Sequence, residues 1–253
     1  MACVKAVITI ADIDYEIDLD KPLEIGIPLN PFHKNPSCFY AGQPTASPMI
    51  YEGYVCSKEA GAPVNFYEMK FVPHGNGTHT ECVGHISSDF EKVNNKINNP
   101  FFVSELISIK PKLLENGDHV ITKDQLNERI RHESSALIIR TMPNFINKIN
   151  KNYTETNPPY LTEDAMRFIV DKKYKHLLLD LPSVDKEKDD GLVMNHKIFW
   201  DVEQQLRQEK TISELIFIHD NIVDGKYILQ LNISNIVLDA VPSRPVLFQI
   251  KSQ

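Results

Sequence analysis

The sequence predicts a single α/β domain over residues 1–253, built as a mixed β-sheet with flanking helices. Three observations carry that reading. The N-terminal part alternates apolar and polar residues at strand period, helix-like and strand-like segments alternate from about residue 120, and the chain closes on the apolar runs "KYILQLNIS", "NIVLDAV" and "PVLFQI". No internal repeat and no linker marks a second domain.

The elements follow in order. "VKAVITI" and "YEIDLD" predict two strands of a hairpin, with the turn at Asp12-Ile13-Asp14. Residues 26–65 are rich in Pro, Gly and Ser ("IPLNPFHKNPSCFYAGQPTASP", "KEAGAPVN"). An irregular stretch of that length is more often functional than idle, so it is expected to cover an active site and to set specificity. "FYEMKFV" (66–72) and "FVSELISI" (102–109) predict strands. "KDQLNERIRH" predicts a helix, "ALIIRT" a buried strand and "LTEDAMRFIVDKK" a second helix. In that helix Thr162 is the N-cap, Glu163 and Asp164 lie in the first turn, and Met166, Ile169 and Val170 form the apolar stripe. "KHLLLDL" predicts a buried strand, "NHKIFWDVEQQLRQ" a helix and "SELIFI" a strand.

Composition excludes several classes of function. A hydrophobic fraction of 42% with 24% charged residues is that of a folded protein with a sizeable core. The net charge of −7 argues against a nonspecific nucleic-acid binder, and the lysines at 148, 151, 172, 173 and 175 are flanked by acids, as on solvated faces. Cys3, Cys38, Cys56 and Cys82 form no C-x-x-C pair, which argues against a disulfide framework or a zinc knuckle. The first apolar stretch is cut off at Asp12, too short for a signal peptide, and no run approaches membrane-spanning length. A cytoplasmic protein without membrane or nucleic-acid partners is expected.

Chemistry concentrates in "PHGNGTHTECVGH" (73–85). In an extended segment His79, Glu81 and His85 share a parity, so two imidazoles and a carboxylate face one side. Gly75 and Gly77 let the chain turn or approach an ion closely. Imidazole with carboxylate suits Zn²⁺, Mn²⁺ or Fe²⁺ better than Ca²⁺. Spacing alone leaves a second reading open, a Gly-Asn-Gly surface turn with exposed histidines.

"GTHTECVGH" resembles the signature H-x-G-T-H-x-D-x-P-x-H of the cyclase family that includes the bacterial kynurenine formamidases. Collinear segments strengthen the resemblance from about residue 17 onward. "ALIIRT" is similar to that family's "LLRTG" strand, "LTEDAMRFI" to the helix after it, and "LLLDLPSVD" to its "GIDTPSVD" loop. "NHKIFW" is similar to its "AHRxLL" helix, "FIHDNI" to its "IIENL" strand end, and "DAVPSRPVLFQI" to its closing "PVRAVAI" strand.

The resemblance implies the family's α/β arrangement, with a barrel-like β core. It also implies metal-dependent hydrolysis of an amide, formamide or related acyl bond of a small molecule, and a homodimer or homotetramer. One or two divalent ions are expected, Zn²⁺ first and Mn²⁺ second. By position His79 is a metal ligand, Glu81 stands for a bridging aspartate, and His85 is the proton donor and acceptor. His196 holds the second metal, and Asp220 (or His219 beside it) is the late shared carboxylate.

Departures from the signature keep alternatives open. The first ligand histidine falls on Gly75, and only a bulge would bring His74 into its place. Aspartate is Glu81, the late glutamate is Asp220, and the signature's proline is Val83. A single-metal site, or a degenerate binding or structural homologue with a lost site, is the competing expectation. Asp180, Ser183 and Asp185 either line the pocket beyond a strand end or nucleate a turn. Arg140 is expected to pair with an acid, and Phe39 and Tyr40 either pack over an aromatic substrate or belong to the core. Cys82 has the wrong parity for a nucleophile at this cluster, and no G-x-S-x-G elbow exists.

Overall fold

The computed structural model describes residues 4–251, so Cys3 lies outside the described residues. The hairpin forms as expected from β1 (Lys5–Ile10) and β2 (Ile13–Asp18). Its turn falls one residue earlier, because Ala11 and Asp12 both take left-handed φ (49° and 60°), the geometry that matches strand twist in a two-residue turn. Tyr15 and Ile17 of β2 pack on Val103, Ile228, Val246 and Phe248.

A short strand β3 (Leu23–Glu24) leads into the irregular segment. That segment contains two small ribbons, Thr45–Pro48 with Tyr67–Lys70 and Ile50–Tyr51 with Tyr54–Val55. "FYEMKFV" is therefore a strand, but one with every residue of 67–70 exposed and no place in the main sheet.

The core is assembled from β4 (His79–Glu81), β5 (Phe101–Ile109), β6 (Ala136–Thr141), β7 (His176–Leu179), β8 (Thr211–Glu214), β9 (Gly225–Ile233) and β10 (Ala240–Gln249). Three helices join it: α1 (Lys123–Arg129), α2 (Glu163–Asp171) and α3 (Met194–Trp200). The strand order is β9-β5-β6-β7-β8-β4-β10, and β10 pairs back onto β9, so the seven strands close into a barrel. β5 to β8 run parallel, and every pairing of β4, β9 and β10 is antiparallel.

Parallel strands are buried on both faces, which explains why "ALIIRT" and "HLLL" are continuous apolar runs rather than alternating ones. Their parity still sorts the side chains. Leu137, Ile139, Leu177 and Leu179 point outward under Leu126, Met166, Ile169, Phe199 and Trp200 of the helices. Ala136, Ile138 and Leu178 join Leu106, Leu229, Leu231 and Leu247 in the other core, inside the barrel.

Several boundaries differ from the sequence expectation. α3 stops at Trp200 instead of running to residue 208, because Asp201 takes a left-handed φ of 51° and ends it. "NIVLDAV" and "PVLFQI" are not separate strands: β10 runs through both Pro242 and Pro245. Thr162 precedes α2 as expected, but its hydroxyl donates to the Ile121 carbonyl and accepts nothing from the helix. The full capping box belongs to α1, where the Thr122 hydroxyl accepts from Gln125 N and the Gln125 side chain accepts from Thr122 N. Among the described residues, no helix is long and apolar enough to cross a membrane.

Candidate metal centre

Just before β4 the chain makes a 3₁₀ turn at Pro73–Gly75, which bears on the register question raised by the sequence. Gly75 has no room for a side chain, since a Cβ there would lie 2.2 Å from the Ala41 Cβ. His74 instead swings inward, with Nδ1 3.1 Å from Glu81 Oε2. The turn is pinned from outside by the Cys38 thiol, which donates to the His74 carbonyl at 3.2 Å. Asn76 pins it as well, accepting from Val72 N at 2.9 Å and donating to the Gly42 carbonyl at 2.9 Å. Gly77, at φ +81°, then turns the chain into β4.

β4 places His79 and Glu81 on one face, both fully buried. Three histidines surround Glu81 in the same manner, each with one ring nitrogen tethered outward and the other turned to the centre. His196 Nδ1 meets Asp185 Oδ2 at 2.5 Å, and its Nε2 lies 3.1 Å from Glu81 Oε1. His79 Nδ1 contacts the Gly77 carbonyl at 3.2 Å, while its Nε2 faces Glu214 Oε2 at 3.4 Å. His74 Nε2 meets Asp239 Oδ2 at 2.9 Å and leaves Nδ1 facing Glu81. Tethered outer nitrogens of this kind fix tautomer and aim in metal-ligating histidines.

Two inward atoms, His79 Nε2 and Glu81 Oε2, are buried without a well-formed hydrogen bond, each having only an imidazole–carboxylate contact, at 3.4 Å to Glu214 Oε2 and 3.1 Å to His74 Nδ1. A poorly paired buried polar atom is costly, and a shared cation removes the cost. Donor atoms of His74, His79 and Glu81 lie within 4.8 Å of one another, as do those of Glu81, His85 and His196. Imidazole nitrogens with carboxylate oxygens in that compass fit a transition-type divalent ion.

The electrostatics point the same way. Burial raises the Glu81 pKa, but His85, His196 and His74 outweigh it and hold the carboxyl well below its usual range. Burial lowers His74, yet its bonds to Asp239 and Glu81 push it up to about 10. His196 is raised for the same reason by Asp185 and Glu81 against its burial. The pocket is a carboxylate-rich field that stabilises positive charge.

The late carboxylate is a correction. Asp220 stands apart from the cluster, its Oδ1 accepting from Asn144 Nδ2 at 2.7 Å, and His219 lies beside Phe217. The carboxylate facing the centre is Glu214, six positions earlier at the end of β8, where its Oε1 also accepts from Val184 N at 3.1 Å. Strand parity in "SELIFI" carried that signal, and the match of "FIHDNI" obscured it. Leu215, next to Glu214, takes a left-handed φ of 53°, and Val193, shortly before His196, takes one of 43°. Bulky residues in that region are strained, and strain of this kind collects where a site is held in place.

The remaining candidates separate cleanly. His85 lies in the turn Val83–His85 with its Nε2 3.9 Å from Glu81 Oε2, and its side chain is 32% exposed. Asp185 serves His196 and Asn195 N, and Ser183 accepts from Asp185 N. Asp180 is buried away from the cluster, bonded to Thr141 and to Lys148 Nζ at 2.7 Å. Arg140 pairs with Asp224 at 3.1 Å and donates to the His219 and Ile222 carbonyls, as expected of a structural arginine. Phe39 and Tyr40 are exposed, which excludes the core reading. Cys82 is buried, its thiol pushed up by burial to about 11, so it is no nucleophile. Asp239 was missed altogether, because it reaches the site only through sheet pairing across 165 residues from His74.

The model of the Cyclase family (described as "Putative cyclase") matches residues 17–186. This chain belongs to the Cyclase family. The Cyclase-family fold is shared with the predicted metal-dependent hydrolase from Bacillus stearothermophilus, at 18% identity and TM-score 0.63 over 90% of this chain and 98% of that one. An isatin hydrolase bound to the product analogue thioisatinate is similar at 15% identity and TM-score 0.62, covering 91% and 93%. Isatin hydrolase A from Ralstonia solanacearum is similar at 12% identity and TM-score 0.65, covering 90% and 91%. At these identities the likeness is one of fold. No curated protein matches this Cyclase-family chain.

Proposed function

We propose that the protein is a metal-dependent hydrolase that cleaves a C–N or C–O bond in an amide, formamide, cyclic amide or ester of a small molecule. The observation that carries this reading is the ring of three tethered histidines around Glu81, each with an inward nitrogen, beside two buried atoms that lack a well-formed hydrogen bond. His74, His79, Glu81, His196 and Glu214 would hold the ion or ions, Zn²⁺ by preference and Mn²⁺ as substitute. Such an ion supplies a hydroxide-strength nucleophile near neutral pH and draws electron density from the scissile carbonyl.

The chain's own residues do the rest. Glu81 and Glu214 lend negative charge that a dication needs, and Asp185 holds the His196 ring through its Nδ1. His85 is the part-exposed imidazole at the mouth, placed to hand a proton to the departing nitrogen or oxygen. Replacing His85 with Ala should reduce kcat by about 100-fold or more while leaving the ion in place.

A degenerate, inactive homologue was the competing reading because Gly75 lacks a ligand side chain. The inward His74, an imidazole beside Glu81 where Gly75 carries none, supports the hydrolase over that reading. Metal analysis of protein purified without chelator decides between them. An ion in stoichiometric amount, with hydrolysis of cyclic imides or N-formyl aromatics that is lost on chelation and restored by Zn²⁺ or Mn²⁺, supports the hydrolase. An ion-free chain that no divalent metal activates refutes it.

We also propose a homodimer or homotetramer. The arm over residues 50–72 exposes Ile50, Tyr51, Tyr54, Phe66, Tyr67 and Met69, more apolar side chain than a free ribbon keeps in water. Sedimentation of the wild type against Tyr51→Glu/Phe66→Glu tests this. A monomeric wild type would end it.

A further inference from the structure

Resting on the metal-centre reading, we propose that Asp239 is the positioning residue that makes His74 an ion ligand, replacing the side chain that Gly75 cannot carry. Gly75 is closed to any substituent by Ala41, so the nearest imidazole must enter one residue out of register. The 3₁₀ turn rotates His74 inward, but the ring there is only part-buried, with 24% of its side chain exposed. A ring at a solvent boundary needs an anchor to keep one nitrogen aimed. Asp239 provides it, with Oδ2 2.9 Å from His74 Nε2.

The barrel fixes Asp239 itself. Ala240 stands opposite Glu81 in the β4–β10 pairing, and Cys82 N donates to the Asp239 carbonyl at 3.0 Å. The register of two antiparallel strands therefore sets the carboxylate beside the turn that carries His74. With Nε2 engaged by Asp239, Nδ1 is the ring nitrogen left facing the centre, 3.1 Å from Glu81 Oε2, and is the atom an ion would take. Asp185 and His196 repeat the arrangement on the opposite side of Glu81, at 2.5 Å. Carboxylate-backed histidines hold metals more tightly because the tautomer is fixed and the imidazole is more basic.

Asp239 Oδ2 also lies 3.7 Å from His85 Nδ1, so loss of activity alone would not isolate its effect on His74. The test is therefore ion affinity. Zn²⁺ and Co²⁺ dissociation constants are measured by chelator competition for wild type, Asp239→Asn, His74→Ala and the double variant. The visible absorption of the Co²⁺ form and the Tm of the ion-free protein are recorded alongside. Asp239→Asn is expected to weaken binding 10- to 100-fold and Asp239→Glu to recover part of it. His74→Ala should weaken binding comparably and alter the Co²⁺ spectrum, and adding Asp239→Asn to His74→Ala should cost nothing further. That non-additivity survives any general loss of stability common to both backgrounds. Asp239→Asn binding within about twofold of wild type, or its full loss persisting without His74, overturns the proposal while leaving the metal centre standing. A wild type that takes up neither ion overturns both.

Discussion

Glu81 meets a histidine on each oxygen, His196 on Oε1 and His74 on Oε2. The short strand β4 aims His79 and Glu81 to one side, which the parity of "HTE" already fixed at sequence level. His85 was named by the same parity, yet it sits in the 3₁₀ turn Val83–His85 beyond the strand, so the turn and not the pleat brings it toward Glu81. His196 was legible only through collinear similarity, because a histidine in a helix's first turn has no spacing signature of its own. Asp239 carried no signal at all, since its proximity is created by strand pairing. The late carboxylate gives a direct prediction. Glu214→Gln should weaken ion binding by about tenfold or more, whereas Asp220→Asn should leave it unchanged, as measured by isothermal titration with Zn²⁺. Equal effects of the two would return Asp220 to the site.

At the level of elements, the sequence conveyed type better than extent. The βα alternation from residue 120 is present, yet α3 is half the length its composition allows, because a left-handed residue closes it and Arg207 folds back to pair with Asp201 at 3.0 Å. Thr162 stands at the N-cap of α2 as expected but makes no side-chain cap bond, whereas Thr122 caps α1 with its partner Gln125 at the third helical position. Thr122→Ala should therefore cost about 1 kcal/mol in urea denaturation. Thr162→Ala should cost less, as its hydroxyl caps nothing.

β7 supplies a pH prediction. His176 is buried against Phe102 and Thr211, and burial, with Lys175 nearby, pushes its pKa down to about 3. A folded-state pKa below the unfolded value means the native state binds fewer protons. The stability is complete above about pH 6.5 and is lost as pH falls toward 3. Between pH 7.5 and 5 the linkage amounts to about 2 kcal/mol. Wild type should lose roughly that much relative to His176→Gln in paired denaturation curves, and parallel curves would refute the assignment.

For the whole molecule, the single α/β domain was readable from the order of its elements. Closure of the barrel was not, because it depends on β10 pairing with β4 and β9 on its two edges, and residues 235–250 read as two strands broken by proline. The irregular segment 26–65 was legible as irregular, and its residues do pack on the site, with Ile27 N donating to Thr78 Oγ1 at 2.7 Å. Chelation should lower the Tm of the whole molecule, since ion bound at 100 times its Kd adds about 2.7 kcal/mol to the native state alone.

The seam between β4 and β10 also has a kinetic meaning. The inward groups come from a turn at residue 74, strands at 79–81 and 214, and a helix at 196, with Asp239 arriving just ahead of the final strand. No local stretch holds the complete set, so an ion finds its full coordination only after the most distant parts of the chain have met. Contacts that form after the folding barrier stabilise by retarding escape from the native state. Saturating Zn²⁺ should thus slow unfolding in denaturant-jump experiments by about as much as it raises stability, and leave the refolding rate almost unchanged.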